Sequence, residues 1–272
     1  MRILLLNVNT NATITARLAE AARRAASADT VIEATQPTWG VSSVEGVYDA
    51  YISVAAGLDR VHQLLGRSSV PLPDTGYEQL LECAPGHVPA RSALWDALIW
   101  GGFGDPGADA FGELLAIPAF DLATAAAREA AGRRYVILTT VGSMRPLIVS
   151  VLASAGVAAG CVGIADLGAS VTSVGGLPES ELIAALAHLA VATPSGKDAE
   201  CFLLGSAALA GLAPPLAAAL GRPVIDGAQA AVRLAEAGAS TIDLGTHRFP
   251  AVKARPGWPV SAPPIGLRPL LR

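Results

Sequence analysis

The chain has 272 residues, enough for one large α/β domain or two smaller ones, and its 52% hydrophobic and 15% charged content excludes extensive disorder away from the ends. A formal charge of −4 without any Lys/Arg cluster excludes nucleic acid as the main partner. Three cysteines without paired spacing (Cys83, Cys161, Cys201) and four isolated histidines give neither a disulfide framework nor a metal pattern, so no metal and no cofactor is expected.

In chain order, apolar runs alternate with alanine-rich amphipathic stretches, the βαβα pattern of parallel sheets covered by helices. The opening "MRILLLNVNT" reads as a first strand rather than a signal peptide. Strands are expected over residues 2–8, 30–34, 93–100, 118–120, 135–139, 160–165, 200–204 and 223–225. Helices are expected over 11–26, 44–65, 106–115, 123–131, 144–155, 179–192, 207–220 and 228–237, the first capped by Asn11 or Thr10. Residues 66–91 are rich in Pro, Gly and Ser and read as an inserted loop; the Pro-rich basic tail 246–272 reads as an extended arm. Residues 201–221 carry no charge and are long enough to span a bilayer, but Pro214-Pro215 and several glycines favour a strand, a turn and a helix. No membrane partner and a cytoplasmic location are the expectation.

The sequence also echoes itself. "IPAFDLATAAAREA" (117–130) resembles "RPVIDGAQAAVRLAEA" (222–237), and "RILLLNVNT" is matched by "RYVILTTVG". Duplicated halves predict two pseudo-symmetric lobes, each a mainly parallel sheet flanked by helices, with strand tips and helix starts facing one ligand across a cleft. The first lobe is assigned residues 1–118 and 226–272, the second 119–225.

In "GGFGDPG" (101–107) no acid, base or nucleophile stands at the strand tip itself, where Gly101, Gly102, Phe103 and Gly104 follow one another. Together with "NVNTNAT", "SSVEGVYDA", "ILTTVGSMRPLI" and "RPVIDGAQAAVRLAEAG", in that order, this stretch resembles the hydantoin/allantoin racemase branch of the aspartate/glutamate racemase superfamily. The resemblance reaches from the start to about Gly238, apart from the insertion. It implies two lobes with an active site between them, and often a homo-oligomer. It further implies a cysteine from each lobe on opposite faces of an acidic Cα–H, one thiolate taking the proton and one thiol returning it.

Both thiols are missing from the matching positions. The family's "CFGDPG" is here "GFGDPG", with Gly102 at the first cysteine; its "GCAG"-like turn is "GSAA", with Ser206 at the second. Glycine transfers no side-chain proton, and a serine hydroxyl is a poor base without a partner. Arylmalonate decarboxylase, a relative that this resemblance brings in, also has glycine at the first position but keeps the second cysteine. The expected activity is therefore enolate stabilisation on a small carbonyl, carboxylate or ureide compound, by decarboxylation, isomerisation, elimination or cyclisation. A racemase or epimerase with other proton carriers, or a non-catalytic binding protein, are the alternatives.

Ser206 is the candidate proton donor, with a small polar filler in a tight turn as the plain alternative, and Tyr48 is a second candidate. Asn7, Asn9 and Thr10 after the first strand, and Thr139, Thr140 and Ser143 after its counterpart, are expected either to bind substrate or to cap helices. Backbone N–H groups around Gly102, Phe103 and Gly104, and at Ser206 and Ala207, are expected to cradle an oxyanion, and Gly102 to leave room for a bulky substrate. Phe103 is the expected apolar wall. His62, His188 and His247 have no visible acid or nucleophile partner, which argues against a Ser-His-Asp device.

Overall fold

The computed structural model describes residues 1–66 and 94–239; the inserted loop with Cys83 and the Pro-rich tail with His247 lie outside these. All eight expected strands form, in two four-stranded, all-parallel sheets. The first contains β1 (Arg2–Asn7), β2 (Val31–Thr35), β3 (Ala97–Gly101) and β4 (Ala119–Asp121) in the order β2-β1-β3-β4. The second contains β5 (Tyr135–Thr139), β6 (Cys161–Asp166), β7 (Cys201–Leu204) and β8 (Val224–Asp226) in the order β6-β5-β7-β8, the same winding repeated. The assignment of residues 119–121 to the second lobe is corrected by the register Leu98↔Ala119 and Ile99↔Phe120, which pairs β4 with β3.

The central strands β1, β3, β5 and β7 are unbroken apolar runs, buried on both faces by helices, as parallel strands require. The first half carries α1 (Ala12–Ala25), α2 (Val47–Gly66), α3 (Ala108–Leu115) and α4 (Leu122–Glu129). The second carries α5 (Arg145–Ser154), α6 (Val171–Gly175), α7 (Glu179–Ala192) and α8 (Ala213–Leu220), while the last helix, α9 (Gly227–Glu236), packs chiefly against α1 and α4 of the first. Asn11 caps α1, its side chain accepting from the N–H groups of Thr13 and Ile14. The echoed aspartates have matching jobs: Asp121 caps α4 and Asp226 caps α9. These two helices pack together so closely that a Cβ on Gly227 would stand 2.6 Å from Leu122 O. Arg233 adds a paired hydrogen bond to Glu129 across the same seam.

Three helical expectations change. The helix expected over 207–220 begins only at Ala213, after a 3-10 turn over Ala207–Leu209 and a left-handed Gly211 (φ 87°); Pro214 and Pro215 are tolerated because they fall in the first turn of α8. The helix expected from 44 starts at Val47, which leaves residues 42–46 as an irregular, bent strap. The short helix α6 was not foreseen. Among the described residues no helix is long and apolar enough to cross a membrane.

Candidate active site

In a 2-1-3-4 winding the chain leaves β1 in one direction and β3 in the other, opening a crevice at the carboxyl ends of these strands. Both sheets have this switch point, and the two crevices face each other. Val8 and Asn9 after β1, with Gly102, Phe103 and Asp105 after β3, line one side of a cavity; Thr139 and Thr140 after β5, with Gly205, Ser206 and Ala207 after β7, line the other. Val44 of the strap, Met144 and Val171 complete the wall. The cavity volume is about 30 Å³, an order of magnitude below the several hundred Å³ typical of small-molecule pockets. This is a closed cleft.

Closure has identifiable contacts. The Glu45 carboxylate accepts from the Val171 N–H at 2.9 Å and from Ser43 Oγ at 3.1 Å, while Ser143 Oγ donates to the Glu45 carbonyl at 2.6 Å. Arg17 of α1 donates to Ala208 O at 2.8 Å. Gly104 (φ 87°) lies against Ile148 of α5, where a Cβ would stand 2.9 Å from the Ile148 Cα.

The sequence-predicted residues separate accordingly. Asn9, Gly102, Phe103, Thr139, Thr140, Ser206 and Ala207 reach the cavity wall. Asn7 does not: its Nδ2 donates to Asn9 Oδ1, Asn11 O and Thr15 Oγ1, a buried network that fixes the β1–α1 turn. Thr10 turns away, its N–H and hydroxyl both directed to Val41 O. Ser143 and Gly104 hold the lobes together rather than line the space. Tyr48 is 72% exposed and stands outside the wall. Thr139 lines the cavity while donating its hydroxyl to Gly205 O at 2.7 Å, so it locks β5 to the second tip.

The two tips differ in chemistry. At the first, the expected cradle is in use: the Gly102 N–H donates to Trp100 O at 2.9 Å, and the Phe103 N–H faces the Asp105 carboxylate. The room expected beside Gly102 is also taken, because a Cβ there would land on Asp105 Oδ2 and come within 2.5 Å of Val8 Cγ1. Asp105 is only 4% exposed, and its Oδ1 has no hydrogen-bond partner. Burial first, and then the charge of Asp121, push its carboxyl up to about 7, while the N–H groups of Phe103 and Asp105 oppose the rise. At the second tip, the N–H groups of Ser206 and Ala207 meet no acceptor among the described residues, and Ser206 Oγ accepts weakly from the Ala208 N–H at 3.4 Å. Peptide N–H groups without an acceptor therefore stand at Ser206 and Ala207, but not at Gly102 or Phe103.

Asp105 escaped sequence reading although it lies within "GGFGDPG". The turn after Gly104 doubles back and returns this side chain to the strand tip, which spacing along the chain does not display. The two described cysteines are elsewhere. Cys161 and Cys201 begin β6 and β7, whereas the cavity lies at the far ends of these parallel strands. From Cys201 to Ser206 that is about 16 Å at the rise per strand residue. Burial raises both of their pKa values, which further disfavours thiolates. Among the described residues no group of three His, Cys, Asp or Glu side chains is placed to hold a metal ion.

Known proteins share this fold. The chain is 29% identical over 268 residues to a hydantoin racemase of Rhizobium meliloti, covering 96% of this chain and 100% of that one. The crystal structure of allantoin racemase from Pseudomonas fluorescens superimposes with a TM-score of 0.76 at 33% identity, covering 94% of this chain and 100% of the other. Allantoin racemase from Klebsiella pneumoniae gives 0.77 at 27% identity, with 96% and 98% covered. The model of the Asp/Glu/hydantoin racemase family matches residues 3–235, so two parallel-sheet lobes, one cleft and nearly the whole described chain agree: this protein belongs to the Asp/Glu/hydantoin racemase family.

Proposed function

We propose that this protein is an enzyme that stabilises an enolate-like intermediate of a small, uncharged carbonyl or cyclic ureide compound, by a route other than proton exchange between two thiols. The observation that carries the reading is the composition of the cavity wall: both strand tips converge there, and neither supplies a cysteine. With Cys161 and Cys201 at the opposite strand ends, the chain has no pair of thiols to place across a substrate. The free N–H groups of Ser206 and Ala207 supply a place for a developing oxyanion, and preorganised donors of this kind account for much of the rate in enolate chemistry.

The charge of the wall favours an uncharged substrate. Among the described residues it has no Lys, Arg or His and one carboxyl, Asp105, so a free carboxylate would enter without a cation from them and beside an acid. The named activities of the hydantoin and allantoin racemases point to the same class, a ring with an acidic C–H next to a carbonyl. Isomerisation and proton exchange fit this wall most directly; elimination and cyclisation pass through the same intermediate, whereas decarboxylation requires the charged substrate that the wall disfavours.

The test is C–H exchange. In D₂O, the purified protein is expected to accelerate deuterium incorporation at the ring C–H of 5-substituted hydantoins or of allantoin, with a smaller effect on free amino acids and malonates. Exchange at the buffer rate for every compound in such a panel would refute the reading, and saturable binding without exchange would point to a non-catalytic binding protein.

A further inference from the structure

The family pattern "CFGDPG" carries a thiol and an aspartate on the first tip; this chain keeps only the aspartate, Asp105. Its carboxyl stands where a side chain on residue 102 would exclude it, because any Cβ there would collide with Asp105 Oδ2. Gly102 thus admits the Asp105 carboxylate to the strand tip, and the left-handed Gly104 allows the turn that returns it there. The side chain is 4% exposed, lines the cavity and leaves Oδ1 without a partner, an unusual state for a buried carboxyl oxygen. Asp226 is equally buried, but it accepts from the N–H groups of Gly211, Ala228 and Gln229; Asp59 also leaves its Oδ1 unpaired, but its Oδ2 accepts from Trp39 and Gln63 and it lies outside the cavity wall.

We infer that Asp105 is the proton carrier of the first lobe, occupying the place left by the missing thiol and acting as the catalytic base on the substrate C–H. The inference rests on the enolate reading above and names the residue that performs its first step. In that step the carboxylate takes the proton from the carbon next to the carbonyl. The C–H electron pair moves into the C–C bond, and the carbonyl π pair moves onto oxygen, which accepts from the N–H groups of Ser206 and Ala207. The Asp105 carboxyl then exchanges this proton for a solvent hydron, and return of that hydron to the carbon regenerates the carboxylate and completes exchange, with no other reactant consumed. A base serves best when its pKa lies near the working pH, and burial with the nearby Asp121 moves this group to that range. Asp121 is the charged neighbour that acts on it; the other facing groups are the peptide N–H groups of Phe103 and of Asp105 itself.

Two variants reach Asp105 by independent routes. Asp105→Asn keeps the shape and removes the base; Gly102→Ala keeps the base and displaces it. With a 5-substituted hydantoin or allantoin in D₂O, Asp105→Asn is expected to lower the exchange rate at least 100-fold. Gly102→Ala is expected to lower it at least tenfold and to move the pH inflection of the rate. In parallel, ¹³Cγ-aspartate NMR of the whole chain should show one carboxyl that titrates near neutrality and is absent from Asp105→Asn. A folded Asp105→Asn that keeps wild-type exchange within threefold would overturn the inference and leave the enolate reading standing. Should that variant fail to fold, wild-type exchange and an unmoved inflection in Gly102→Ala would overturn it instead. A wild type that exchanges none of these compounds refutes the enolate reading itself, and the role of Asp105 falls with it.

Discussion

Gly102 and Asp105 share a volume that one methyl group would contest, and their coupling reaches stability as well as chemistry. The folded-state pKa of Asp105 is raised from 3.8 to about 7. Its neutral form therefore contributes stability that is fully present below the unfolded pKa and is lost as pH rises toward 7. Asp121 and Asp226 are raised in the same direction by burial, each partly offset by the N–H groups it caps. Replacing Asp105 with asparagine should remove one such contribution. In urea unfolding at pH 5 and pH 8, the wild type should lose roughly 2–4 kcal/mol more than Asp105→Asn over this interval, from the size of the pKa shift. An equal loss in both proteins would show that Asp105 is ionised in the fold throughout. At this scale the sequence was legible where one residue meets the strand tip directly, as at Ser206. It was opaque where a turn brings a residue back, as at Asp105, or where a side chain is consumed behind the strand, as at Asn7, whose donors serve the turn that holds it.

Among the elements, strands were the easiest to read, because parallel strands buried on both faces are plain apolar runs. β1, β5 and β7 fall within a residue or so of their expected limits. Helix starts were harder. An apolar pattern continues through the turn at 207–212, and only backbone conformation distinguishes it from helix. The echo between 117–130 and 222–237 was readable, but that α4 and α9 pack upon each other was not, since sequence similarity carries no contact information. That contact yields a test. Gly227 lies within reach of the backbone of Leu122, which has no flexible end to move aside. Gly227→Val should force the two helices apart and cost about 1–3 kcal/mol by overpacking, read as a lower thermal midpoint. A midpoint unchanged within error would mean that the seam is looser than described.

For the whole molecule, the governing feature is that the two sheets enclose too little space for a ring compound. Opening must precede binding, and the strap is the part whose attachments are few and nameable. Glu45→Ala removes the acceptor of the Val171 N–H, a hydrogen bond to a charged group, while leaving the Glu45 carbonyl for Ser143. Such a loss, at roughly 1.5–3 kcal/mol, should speed amide hydrogen exchange in residues 42–46 and 170–175 about tenfold or more. The central strands β1 and β5 should be unaffected. Equal protection in the variant would place the hinge elsewhere. Two lobes and a cleft followed from the duplicated pattern; that the cleft is shut by the 42–46 strap did not, because the bond from Glu45 to Val171 spans 126 residues of chain.

The two halves of the fold are near copies, yet the pair of tips facing each other is not: an acid stands on one and bare amides stand on the other. A dyad-symmetric frame has thereby acquired a head and a tail. Under the proposed chemistry a guest held between them lies one way round, carbon toward the aspartate and oxygen toward residues 206 and 207. A mirror-image guest held in that orientation would present its hydrogen to the wrong wall, so chiral discrimination here follows from the broken symmetry of the frame.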